Sequence, residues 1–75
     1  MKFVEFLYKV DETFMSNQPP KVSAANQWRY GQTVMNVLWD IWPEKHDEIK
    51  DSDFNCFYTN RNVPMVLNKL EKEWR

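Results

Sequence analysis

The four prolines of this chain divide its 75 residues into segments, and apolar residues recur at helical spacing within most of those segments. Pro19 and Pro20 cannot continue a helix, because proline lacks the backbone N–H and fixes φ, so residues 16–23 are predicted to form a linker. Pro43 and Pro64 stand where new helices would begin, the position that tolerates proline best. The prolines therefore predict helix boundaries near residues 19, 43 and 62.

The segment 2–15 is predicted to form the first helix, because two apolar stripes run along it at helical spacing. The core-facing stripe consists of Phe3, Phe6, Leu7, Val10 and Phe14. A second, flanking stripe consists of Val4, Tyr8 and Met15. This second stripe, together with the wide apolar arc of the central helix described next, exceeds what a small monomer covers and favours a homodimer.

The segment 24–42 is predicted to form a central helix with Ser23 as its N-cap. Its apolar residues span an arc of about 200°, which is typical of a helix that packs on two or more neighbours. Gly31, the only glycine of the chain, lies in the middle of that arc. We expect Gly31 to face another helix at close range. Gln32 and Asn36 lie on the polar edge and are expected to hydrogen-bond the 51–60 segment or to recognise a partner.

The remaining segments complete an all-α prediction. Residues 43–50 are predicted to form a short helix with Ile49 as its anchor, and residues 51–60 an ordered loop. The loop is expected to be pinned by Phe54, Phe57 and Tyr58. The inward stripe of the last helix consists of Val63, Val66, Leu67, Leu70 and Trp74. The sequence predicts one helical domain over residues 1–75, a small bundle of three main helices plus one short helix.

One combination of residues resembles a loose family of small uncharacterised proteins of tailed phages and prophages. It comprises Arg29-Tyr30-Gly31-Gln32, Asn36, Leu38, Pro43, Ile49 and Phe57-Tyr58. The family carries an Asp-Pro pair before its Phe-Tyr, whereas this chain carries Asn55-Cys56. The resemblance covers residues 29–58, and Trp74 matches a terminal aromatic. It implies a phage-like origin and a helical fold, without an assigned activity.

The chain lacks the side chains that most enzymes need. Cys56 and His46 are its only thiol and imidazole, and no motif orients one toward the other. Cys56 is therefore expected to be a small apolar filler of the aromatic loop, and His46 to be exposed. His46, Asp47, Asp51, Asp53 and Cys56 are of the types that bind metals, but their spacing matches neither a zinc module nor a calcium loop. We therefore expect no catalytic residues, no metal and no cofactor. The unpaired cysteine and the absence of a long apolar run predict a cytoplasmic protein without a membrane segment.

The charge of the chain is concentrated in one acidic segment. Residues 40–53 carry six carboxylates against two lysines, although the whole chain has a net charge of −1. Trp39 lies at the edge of the apolar arc and is expected to be partly exposed beside this segment, as in protein-binding surfaces. The predicted partner-binding residues are Trp39, Asp40, Glu44, Asp47, Glu48, Asp51 and Asp53.

These features predict a small, phage-encoded protein that binds a host protein with a basic surface, such as a host enzyme or defence system that it inhibits. The alternative is a nucleic-acid-related module, either an acidic mimic of DNA or a weak DNA binder. Direct nucleic-acid binding is the weaker form of that alternative, because the basic side chains are few and interspersed with acids.

Overall fold

A computed structural model describes residues 1–74, and within that range the regular structure is helical without any strand. Four α-helices follow one another as α1 (Phe3–Ser16), α2 (Tyr30–Ile41), α3 (Pro43–Lys50) and α4 (Val63–Glu73). Two single 3₁₀ turns, Ala24–Asn26 and Asn60–Asn62, precede α2 and α4. The predicted all-α bundle of three main helices and one short helix is confirmed. None of the helices within residues 1–74 combines the length and apolarity needed to cross a membrane.

Helix α2 lies at the centre and packs mainly against α1 and α3. Its wide apolar arc is consistent with this position, because each neighbour covers part of it. Side chains from all four helices and from the 51–60 loop meet in one core. The buried apolar residues are Phe6, Val10, Val34, Met35, Val37, Leu38, Ile49, Cys56, Val66 and Leu70. Ile49 is fully buried, as expected for the anchor of the short helix.

The central helix begins later than the sequence pattern predicts. Residues 24–26 form the 3₁₀ turn, the chain is extended at Gln27 and Arg29, and α2 starts only at Tyr30. Ser23 precedes the 3₁₀ turn and makes no side-chain capping bond. The side-chain amide of Gln18 donates to the carbonyls of Phe14 and Trp28, at 3.1 and 3.3 Å. These two bonds tie the end of α1 to the extended segment and so compete with an earlier helix start.

Gly31 consequently lies in the first turn of α2, and the prediction that it faces another helix is wrong. It faces the 51–60 loop, where a Cβ atom would overlap the carbonyl oxygen of Cys56 and approach Asn60 Oδ1 to 3.2 Å. The backbone N–H of Gly31 donates to Asn60 Oδ1 at 2.8 Å, which satisfies a donor that has no partner within the helix. Gly31 does allow another element to approach α2 closely, but that element is the backbone of the 51–60 loop and not a helix.

The two chain ends meet in an aromatic cluster. Trp74 contacts the rings of Phe3, Phe6 and Trp42, with centroid separations of 5.6, 5.0 and 5.3 Å. Its indole N–H donates to the carbonyl oxygen of Met1 at 2.7 Å. The large rings supply apolar contact area that a chain of this size needs in order to fold alone.

Candidate functional site

An open cleft of about 370 Å³ lies between α2, α3 and the loop that follows α3. We call it the α2–α3 cleft; it is lined by Met35, His46, Lys50, Asn55, Phe57 and Tyr58. Helix α2 contributes Met35, which is almost completely buried and therefore belongs to the floor. His46 and Lys50 are one turn apart on α3, so their side chains project from the same face of that helix.

Trp39 lies beside this cleft and is 62% exposed, which confirms the predicted partial exposure. Its ring meets His46 edge to face, with centroids 6.5 Å apart. The His46 side chain is only 16% exposed, and its Nδ1 lies 3.1 Å from Asp47 Oδ1. His46 therefore connects the exposed indole to the cleft wall and is less exposed than the sequence suggested.

The loop wall of the cleft is held by polar contacts to the backbone. Asn55 uses its whole amide, because Nδ2 donates to the Lys50 carbonyl at 3.1 Å and Oδ1 accepts from the Phe57 N–H at 2.8 Å. The Arg29 guanidinium donates to the Phe57 carbonyl at 3.0 Å. Of the three aromatics expected to pin the loop, Phe54 and Phe57 are partly buried, but Tyr58 is 79% exposed. Tyr58 therefore presents its ring to solvent at the rim.

The expectation that Gln32 and Asn36 hold this loop is wrong for Gln32, and no such bond is seen for Asn36 within residues 1–74. Gln32 Oε1 accepts from the Arg29 backbone N–H at 3.4 Å, at the start of its own helix. Asn36 borders a different surface groove, next to Thr13 and Asp40. The loop is instead fixed by Arg29, by the bare backbone of Gly31 and by Asn60, as described above.

The acidic residues of the predicted partner site do not form one surface. Asp47 contacts His46 beside the cleft, whereas Asp40 borders the groove between α1 and α2. Glu44, Asp51 and Asp53 are exposed at the start of α3 and after its end. Glu48 is directed to α4. The structure thus brings Trp39 and Asp47 together through His46, and distributes the other acids around α3.

Glu48 belongs to a four-residue ion-pair network that joins α3 to α4. Lys45 is nearly buried and donates to Glu48 at 3.0 Å and to Glu73 at 2.6 Å. Lys69 donates to Glu73 at 2.7 Å and lies 3.5 Å from Glu48. Hydrogen bonds from Lys45 and then Lys69 lower the pKa of Glu73 to about 2, and the bond from Lys45 lowers the pKa of Glu48. Two lysines therefore already neutralise Glu48.

Cys56 is buried in the core, as the sequence interpretation of a small apolar filler requires. Burial raises the pKa of its thiol to about 11, so the reactive thiolate form is scarce at neutral pH. The thiol donates to the Gly31 carbonyl at an S···O distance of 3.4 Å. Within residues 1–74 no group of three or more acidic, histidine or cysteine side chains is arranged to hold a metal ion.

A second exposed apolar surface runs along α1. The side chains of Val4, Tyr8 and Met15 are 50%, 71% and 66% exposed, so the bundle leaves the second stripe of α1 uncovered. Asp11, on the same helix, accepts a hydrogen bond from the Tyr30 hydroxyl at 2.8 Å. Partial burial and this bond raise the pKa of Tyr30 to about 12. The uncovered stripe is the surface to which the homodimer prediction refers.

None of the six residues that line the cleft was among the predicted partner-binding residues. One signal was available, namely the one-turn spacing of Met35 to Trp39 and of His46 to Lys50. No family model, curated protein or solved structure matches this chain.

Proposed function

We propose that this protein acts by binding another protein, and that Trp39 and the α2–α3 cleft form the contact surface. The single observation that carries the proposal is the exposed Trp39 ring held by His46 at the edge of a cleft. An exposed indole next to a concave, partly apolar surface is the usual composition of the residues that dominate protein–protein affinity. The exposed Tyr58 ring extends this surface on the loop side.

The proposed partner is a host protein with a basic surface, and inhibition of a host enzyme or defence system is the proposed consequence. Asp47, which contacts His46 Nδ1 at 3.1 Å, and Glu44, exposed in the first turn of α3, place negative charge on the helix that carries His46. Such charge speeds the encounter with a basic surface and disfavours acidic partners. The phage origin implied by the sequence resemblance is consistent with a protein of this size that works by binding.

The distribution of charge supports protein binding over the DNA-mimic alternative. A mimic of the phosphate backbone requires rows of carboxylates on one surface. In this structure Glu48 is neutralised by Lys45 and Lys69, while Asp40 lies in the groove on the α1 side. The exposed acids that remain are too dispersed to imitate regularly spaced phosphates.

The test is affinity capture of the partner from host cells by the wild-type protein and by two variants, Trp39→Ala and Tyr58→Ala. We expect both variants to keep the wild-type circular dichroism and to lose the captured partner. Met65→Ala is the matched control, because Met65 is 54% exposed on α4, away from the cleft. The proposal is wrong if Trp39→Ala and Tyr58→Ala stay folded and retain the same partner as the control.

A further inference from the structure

The lining of the α2–α3 cleft has an uneven distribution of charge. Its floor and loop wall are apolar at Met35 and Phe57, and Lys50 contributes a positive charge. The Asp47 carboxylate beside the cleft contacts His46 Nδ1 at 3.1 Å, and no carboxylate belongs to the lining itself among residues 1–74. Lys50 makes no ion pair within that range. The cleft is therefore complementary to an apolar group that carries a negative charge.

The size of the cleft limits what can enter it. A volume of about 370 Å³ is near the lower end for sites that enclose small ligands, so it suits one large side chain with its adjacent backbone. The exposed Tyr58 ring stands at the rim of the cleft and the exposed Trp39 ring lies beside it, so both offer further contact area. An occupant that extends beyond the cleft can rest on these rings, which a single small acid cannot do.

We infer that the α2–α3 cleft holds the C-terminal apolar residue of a partner polypeptide, with the terminal carboxylate paired to Lys50. The inference rests on the proposed function and specifies the partner chemistry of the same surface. The residues that precede the terminus lie over Trp39, and basic side chains among them meet Asp47 and Glu44. A chain end is favoured over an internal acidic residue because the carboxylate and the apolar side chain then belong to one residue, which suits the small volume of the cleft.

The experiment uses ¹⁵N-labelled full-length protein and three probes, followed by NMR. The first probe is the peptide Lys-Lys-Ala-Ala-Phe with a free carboxylate, the second is the same peptide amidated, and the third is N-acetylphenylalanine. We expect the free-acid peptide to shift the amides of Lys50, Phe57 and Tyr58 and the indole of Trp39. It should bind about three- to fivefold more tightly than the amide, as one exposed ion pair allows.

Two variants separate the contribution of Lys50 from a general charge effect. Lys50→Gln should abolish the preference for the free acid, whereas Lys21→Gln, an exposed lysine of the linker, should leave it unchanged. Equal binding of acid and amide by the wild-type protein, or an unchanged preference in Lys50→Gln, would overturn the inference. N-acetylphenylalanine that binds as tightly as the peptide would also overturn it, since the ligand is then a small acid.

These outcomes are distinguishable from failure of the proposed function. If Trp39→Ala loses the captured partner but the free-acid peptide shows no preference, the surface binds protein and the chain-end inference is wrong. If the peptide binds as expected but Trp39→Ala retains the captured partner, the cleft is a chain-end site and the proposed partner surface is wrong.

Discussion

The backbones of Gly31 and Cys56 are in direct contact, because glycine has no side chain that would separate them. The Cys56 thiol donates to the Gly31 carbonyl at 3.4 Å, and a Cβ atom on Gly31 would overlap the Cys56 carbonyl oxygen. This contact fixes the position of the loop relative to α2. Because the same loop forms one wall of the α2–α3 cleft, the only glycine of the chain supports the candidate binding surface.

Gly31→Ala tests this contact through the sign of the stability change. At an open helical position alanine stabilises a protein by up to about 1 kcal/mol relative to glycine. Here we expect a loss of about 1–3 kcal/mol, because the added methyl group must displace loop backbone. Urea denaturation followed by tryptophan fluorescence measures the change. Unchanged or increased stability would show that the loop does not require the bare backbone.

Trp39 and Trp74 are predicted to differ sharply in their contribution to stability. Trp39→Ala should change the free energy of unfolding by less than about 1 kcal/mol, because the ring is mostly exposed. Trp74→Ala should cost about 3 kcal/mol, because Trp74 contacts three aromatic rings and hydrogen-bonds Met1. Thermal melts of both variants at equal concentration provide the comparison. A Trp39→Ala protein that unfolds would identify Trp39 as a core residue.

The ion-pair network predicts a specific loss of stability in acid. Bonds from Lys45 and Lys69 lower the pKa of Glu73 from 4.5 to about 2 in the folded protein. The stabilisation is therefore complete above about pH 4.5 and is lost as the pH falls toward 2, where the folded protein also becomes protonated. Melting temperatures between pH 7 and pH 2 should fall less for Glu73→Gln than for the wild type. Parallel curves would mean that the network does not contribute.

The Cys56 thiol should be unreactive toward thiol reagents in the folded protein. Burial raises the pKa of its thiol to about 11 and removes it from solvent, and both effects slow reaction with thiol reagents. We expect no reaction with a disulfide reagent at pH 8 over minutes, and complete reaction of one thiol after unfolding in guanidinium. Rapid reaction of the folded protein would show that the loop opens easily.

The uncovered stripe of α1 carries the homodimer prediction. Exposed Val4, Tyr8 and Met15 would be buried in a self-association along α1. Light scattering at micromolar concentration should then give twice the chain mass of 9.2 kDa. Tyr8→Glu should return the protein to a monomer, while Met65→Glu on α4 should not. A wild-type protein that is monomeric throughout this range would contradict the prediction.

Much of the candidate site could not be predicted, and His46 shows why. Its residue type and position are visible in the sequence, but its value to the site comes from contact with Trp39 and Asp47 across the bend between α2 and α3. Glu48 shows the opposite case. It belongs by sequence to the acidic segment, yet two lysines, one from α4, neutralise it. Pairing between elements distant in sequence leaves no local pattern.

The sequence by itself determined the helical class, the break at Pro19 and Pro20, the start of the short helix at Pro43 and the burial of Ile49 and Cys56. These features follow from local rules, namely backbone restriction by proline and the periodicity of apolar residues. Only the tertiary structure decided that α2 begins at Tyr30, that Gly31 meets loop backbone, and that Tyr58 is exposed. Those outcomes depend on hydrogen bonds between polar groups that are distant in sequence. The Gln18 side chain donates to the Trp28 carbonyl, and the Asn60 side chain accepts from the Gly31 backbone N–H.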